Sequence, residues 1–174
     1  MKTSTPITFN LIKEILFYPR KAVKKVLRID TKLAYWLVPI IAGIFTFFDS
    51  IIDPVPTNDL AVIGISSIIM LLIITFFYYL SAMIYLLISK LAKVKKVLFE
   101  DCLKIMLACT LPSLLLLPFA FLEYIAWIWT IILTLLMFSE FTKFSKLKTF
   151  FWYIIFPFVF GFVFGLLIGL VSLF

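Results

Sequence analysis

Every lysine and arginine of this chain falls in one of three stretches, and the segments between and beyond them carry none. Residues 1–32 hold eight, residues 89–104 hold five and residues 139–149 hold three. Long apolar segments run between them, and the remaining connections carry only acids. Short loops rich in Lys and Arg stay on the cytoplasmic side of a membrane, so the pattern marks an integral membrane protein and predicts its orientation. It predicts five spans, with the N-terminus inside and the C-terminus outside.

Composition agrees. The chain is 64% hydrophobic and 14% charged, against about 45–50% apolar residues in soluble domains. That leaves no room for a separate soluble domain. The net charge of +7 is explained by topology, so it predicts attraction to anionic lipid of the inner leaflet and no nucleic-acid partner. There is no histidine, which removes His-based proton relays, His-ligated metals and Ser/His or Cys/His catalysis. Cys102 and Cys109 lie seven apart on one expected helix near the reducing side, where a structural disulfide is not expected. The first 30 residues are basic and amphipathic, without the compact apolar core and small-residue cleavage site of a signal peptide.

The expected fold is all-α: a polytopic transmembrane bundle of five helices over 33–174, behind a cytoplasmic lead-in over 1–32. A hydrocarbon core of about 30 Å needs about 20 apolar helical residues, which places the spans near 33–52, 60–88, 103–121, 124–141 and 150–174. Tyr35 and Trp36 stand at the inner end of the first span as interfacial anchors. The second span is longer than the membrane needs and is expected to tilt or project. The Phe76-Phe77-Tyr78-Tyr79 run in it reads as lipid contact or packing. Pro112 and Pro118 are expected to kink the third span. In the fifth, Gly161, Gly165 and Gly169 share one helix face and would admit a close neighbour, either within the monomer or in a homodimer.

The lead-in has helical spacing. Phe9, Ile12, Ile15 and Leu16 recur at the helical period, and Pro19 suits the first turn of a second helix. There Val23, Val26 and Leu27 form an apolar stripe opposite Arg20, Lys21, Lys24, Lys25 and Arg28. A basic amphipathic helix of this kind is expected in the headgroup plane. With about 1 kcal/mol per basic residue near an anionic surface, the segment reads as a topology anchor or as a docking surface for lipid headgroups or a partner protein. Lys90, Lys93, Lys95 and Lys96 continue the basic face. Glu100 and Asp101 follow, in the first turn of the next helix, where negative charge suits the helix dipole.

Ionisable groups inside a span mark function by default. Asp49, Asp53 and Glu123 form at most an acidic rim near the outer interface, a place for ion contact or for plain solvation, and Glu140 lies at the inner end of the fourth span. No span is expected to hold a buried Lys, Arg or His. Ser66, Ser67, Thr75, Ser81, Ser113, Thr130 and Thr134 supply hydroxyls that ordinarily bond to backbone or across helices. No catalytic set, cofactor site or metal site is expected.

Four features together resemble the Yip1-domain family of five-span membrane proteins. They are the Tyr18-Pro19-Arg20 step with its Lys-rich helix, the Val97-Leu98-Phe99-Glu100-Asp101 entry to span three, the Thr110-Leu111-Pro112 step, and the small-residue final span. The resemblance implies five helices and an inside N-terminus. Its eukaryotic members, associated with Rab GTPases and early secretory membranes, have a long N-terminal cytosolic region. The short N-terminus and the Ile/Lys/Phe bias here look like a bacterial or archaeal member, which implies a prokaryotic cytoplasmic membrane. The function expected is that of a non-enzymatic scaffold or membrane-organising factor. The alternative is a transporter or scramblase of small solutes, ions or lipids.

Overall fold

A computed structural model describes residues 5–52, 60–94, 96–116, 118–119 and 122–159, with backbone alone at 49–52 and 60–61. Every regular element among the described residues is a helix.

Two short helices come first. In α1 (Phe9–Phe17) the Thr8 hydroxyl accepts from the Leu11 N–H, and α2 (Pro19–Val26) begins on proline, whose fixed φ and missing donor suit a first turn. Then α3 (Thr31–Ile52) and α4 (Leu60–Leu91) form an antiparallel pair. The Asp30 carboxylate caps α3 by accepting from Leu33 N–H at 3.0 Å. At 32 residues, α4 rises about 48 Å, more than a bilayer core requires. A basic loop leads to α5 (Phe99–Cys109) and α6 (Leu111–Leu116), which turn back as α7 (Glu123–Thr142). Finally α8 (Lys146–Phe150) runs on through a wide turn at Phe151–Ile155.

Three of these helices are long and apolar enough to cross a membrane: α3, α4 and α7. The expected third span differs in form. Instead of one kinked helix over 103–121 there are two pieces that start at Phe99 and break at Thr110. Pro112 explains the break, since it has no N–H for the Ala108 carbonyl and its ring crowds that group. Pro118 does not kink a helix; it lies in the turn after α6 and ends it. The expected fifth span is described only to residue 159, so Gly161, Gly165 and Gly169 lie outside the described residues.

Proline has two further effects on the spans. Pro39 inside α3 cannot donate to the Tyr35 carbonyl, and the Tyr79 hydroxyl on α4 donates to it instead, at 3.1 Å. Pro157 likewise cannot donate to the Tyr153 carbonyl. The helix widens just before it, and the Phe156 N–H reaches back five residues to Phe151.

Two buried clusters hold the bundle together. The larger joins α1 and α2 (Leu11, Ile15, Ala22, Val23, Val26) to Ile88, Cys102, Ile105, Cys109, Leu133, Met137, Phe138 and Tyr153. The smaller joins α3, α4 and α5 through Ala34, Val38, Ile41, Ala82, Leu103 and Leu107. In the Phe-Phe-Tyr-Tyr run of α4, Phe76 and Phe77 are exposed, whereas Tyr78 packs against the smaller cluster with Tyr79.

Candidate functional site

The basic stretches converge at one end of the bundle. The Thr31 hydroxyl at the start of α3 donates to Glu100 at the start of α5, at 3.3 Å. The Lys104 ammonium reaches the Leu27 carbonyl at the end of α2, at 3.4 Å. The end of α7, where Glu140 pairs with Lys143, lies within electrostatic reach of Arg20 and Lys24 on α2.

Helix α2 is the central element of this end. Its apolar stripe is covered by protein. Ala22, Val23 and Val26 are buried by protein, in the core shared with α5 and α7. The physical reason is supply: α5 and α7 leave an apolar groove at this end, and a stripe of small and β-branched side chains fills it closely. Burial of that stripe turns Arg20, Lys21, Lys24, Lys25 and Arg28 outward, and all five are exposed. Lys25 pairs with Glu14 of α1 at 2.6 Å.

The α4–α5 loop adds Lys93 and Lys96, both exposed; Lys95 lies outside the described residues. Lys93 and Lys96 have φ of 58°, and Lys143 after α7 has φ of 61°. Left-handed backbone costs an L-residue with a Cβ about 1–2 kcal/mol, and glycine is the usual occupant where a helix ends this way. Lysine stands at all three positions in spite of that cost. Lys148 also lies at this end, its ammonium 4.0 Å from the centre of the Phe144 ring.

Lys104 corrects the expectation that no span buries a cation. It is 7% exposed, among Leu103, Ile105 and Leu107. Desolvating an ammonium costs several kcal/mol unless it is compensated. Here the Leu27 carbonyl at the negative end of the α2 dipole accepts from it, and Asp101, one turn earlier, is within electrostatic reach. Partial burial pushes the Asp101 carboxyl up from the ordinary carboxylate range, while the Leu98 N–H it accepts pulls the other way. Lys104 thus ties the end of α2 to the start of α5. A sequence signal was present: a lone lysine in an apolar run with acids three and four residues before it, Asp101 and Glu100.

A second buried polar contact had no signal of that kind. The Tyr153 hydroxyl and Ser89 Oγ are 2.6 Å apart. Ser89 sends its own proton to the Tyr85 carbonyl at 2.8 Å, so Tyr153 is the donor to Ser89. The Tyr153 ring stacks on Phe138 at 4.5 Å and meets Tyr85 at 5.8 Å. This contact closes α4, α7 and the last helix upon one another.

Of the acidic rim candidates, one is described. Glu123 is exposed at the first residue of α7. Asp53, and the side chain of Asp49, lie outside the described residues. Cys102 and Cys109 are free and buried, with Cys109 Sγ 3.8 Å from Met137 Sδ.

Among comparisons with known proteins, the family model described as the Yip1 domain matches residues 13–168. No curated protein and no solved structure matches the chain.

Proposed function

The chain belongs to the Yip1 domain family, and from that premise we propose that it is a non-enzymatic scaffold or membrane-organising protein. In this reading the basic end is cytoplasmic, and the chain crosses a prokaryotic cytoplasmic membrane five times, with its C-terminus outside. Arg20, Lys21, Lys24, Lys25 and Arg28, with Lys93, Lys95 and Lys96, gather anionic lipid headgroups and partner proteins. The glycines at 161, 165 and 169 pack the last helix within the bundle or between two copies.

One observation carries the proposal. Because the apolar stripe of α2 is buried by protein, its basic face is held as a fixed outward surface and does not depend on lipid to order it. A charged surface that is ordered beforehand binds without a further ordering cost. The three left-handed lysines favour the same reading, since local stability alone would favour glycine there.

Native mass spectrometry of protein released gently from its own membranes tests it. Retention of anionic lipid or of a partner in fixed stoichiometry is expected, and both should fall in the Lys21→Gln/Lys24→Gln/Arg28→Gln variant. Equal retention by the two proteins would overturn the proposal.

A further inference from the structure

We infer that the outer face of α1 is seated in the same bilayer that the bundle spans, at the boundary of headgroups and acyl chains. Its occupant is an anionic lipid surface. Phe9, Lys13 and Phe17 recur every four residues and so share one side of α1, and all three are exposed. Phe9 is 80% and Phe17 64% exposed. Tyr18 continues this side, with the Lys21 ammonium 5.5 Å from its ring centre. The opposite side, Leu11 and Ile15, is buried in the core.

The depth follows from what α1 touches. It packs on α6, whose first residue is twelve along from the start of α5, about 18 Å of helical rise. Ser113 of α6 is bonded to Thr130, which lies equally far from the basic end of α7. A bilayer is about 40–45 Å thick with its headgroups, about 30 Å of it hydrocarbon, so contact with α6 carries α1 past the headgroups to the edge of the acyl chains. There α6 exposes Leu115, an apolar side chain that lipid can cover. Moving each phenylalanine of α1 from water to that layer is favourable, and Lys13 can extend its ammonium to the phosphates along its own stem.

The lead-in is also closed at its base. The Thr5 N–H donates to the Arg28 carbonyl at 3.0 Å, and Glu14 of α1 holds Lys25 of α2. The hairpin therefore has two sides with different surroundings: α1 faces the acyl boundary, and the basic face of α2 faces the hydrated headgroups and the water beyond them. This rests on the proposed lipid-engaging role of the basic end.

Spin labels on Phe9→Cys, Phe17→Cys and Lys24→Cys test it, in the full chain reconstituted in vesicles of phosphatidylcholine with phosphatidylglycerol. The unsubstituted chain, whose two cysteines are buried, sets the background. Labels at 9 and 17 should be several-fold more accessible to oxygen than to a neutral nickel chelate, and the label at 24 should show the reverse. Chelate access at 9 and 17 equal to that at 24 would overturn the inference by placing α1 in water. Shielding of 9 and 17 from both reagents would overturn it by placing protein there. Lipid retention by the glutamine variant above is read separately, so either proposal can fail while the other stands.

Discussion

The Tyr79 hydroxyl donates to the Tyr35 carbonyl at 3.1 Å, and that carbonyl is the one Pro39 leaves without its helical donor. The aromatic rings of the pair lie 6.1 Å apart, with Phe99 of α5 6.3 Å beyond Tyr35. A proline defect in one span is thus satisfied by the neighbouring span, and the repair also fixes how α3 and α4 face each other.

Tyr79→Phe should therefore lower stability by about 1 kcal/mol, read as a drop in the midpoint of thermal unfolding in detergent. Pro39→Ala restores a donor to the Tyr35 carbonyl, so Tyr79→Phe should cost clearly less in that background. Equal costs in the two backgrounds would mean that the hydroxyl does not serve the proline defect.

Ser89 and Tyr153 should behave asymmetrically. Ser89→Ala strands the buried Tyr153 hydroxyl and is expected to cost about 1–3 kcal/mol. Adding Tyr153→Phe removes the stranded group, so the double variant should be more stable than Ser89→Ala alone. Tyr153→Phe alone costing as much as Ser89→Ala would contradict the proton assignment.

Val26→Ala distinguishes a protein-covered stripe from one in lipid. Val26 is fully buried against α5 and α7, so the truncation should cost roughly 2 kcal/mol. If lipid covered the stripe, the change would leave the unfolding midpoint nearly unmoved.

Lys104→Met keeps the buried stem and removes the ammonium. Amide hydrogen exchange should accelerate through α2, whose terminal carbonyl at Leu27 loses its donor, while α7 stays protected. Unchanged exchange in α2 would show that Lys104 does not hold that helix end.

Lys93→Gly should raise stability by about 1 kcal/mol, because φ of 58° is free of Cβ strain only for glycine. The same variant should bind vesicles containing phosphatidylglycerol more weakly. A stabilised variant with undiminished vesicle binding would remove Lys93 from the proposed surface.

Much of the helical framework was legible because charge and periodicity are one-dimensional. The bounds of α3, α4 and α7 fall close to the expected spans, since helices that cross lipid must satisfy their backbone internally and must be of a certain length. The start of α2 at Pro19 was legible for a similar reason: proline at a first helical turn acts locally. The break at Thr110 was only half legible. Pro112 and Pro118 look alike in the sequence, yet one interrupts a helix and the other ends it, which depends on where the α6–α7 turn falls.

The sequence by itself determined that this chain is a helical membrane protein of the Yip1 domain family, with its positive charge gathered in three stretches. Only the tertiary structure decided what those stretches do at the end of the bundle. An amphipathic stripe such as Ala22, Val23 and Val26 reads the same whether lipid or protein covers it, because both are apolar. Lys104 stands out as a lone lysine in an apolar run, but its partner is visible only when Leu27, 77 residues away in the chain, is brought beside it. Tyr35, Ser89 and Tyr153 are ordinary span residues until Tyr79, Tyr85 and Phe138 stand opposite them. Hydrogen bonds and burial are properties of pairs, and pairs distant in the chain are set by packing.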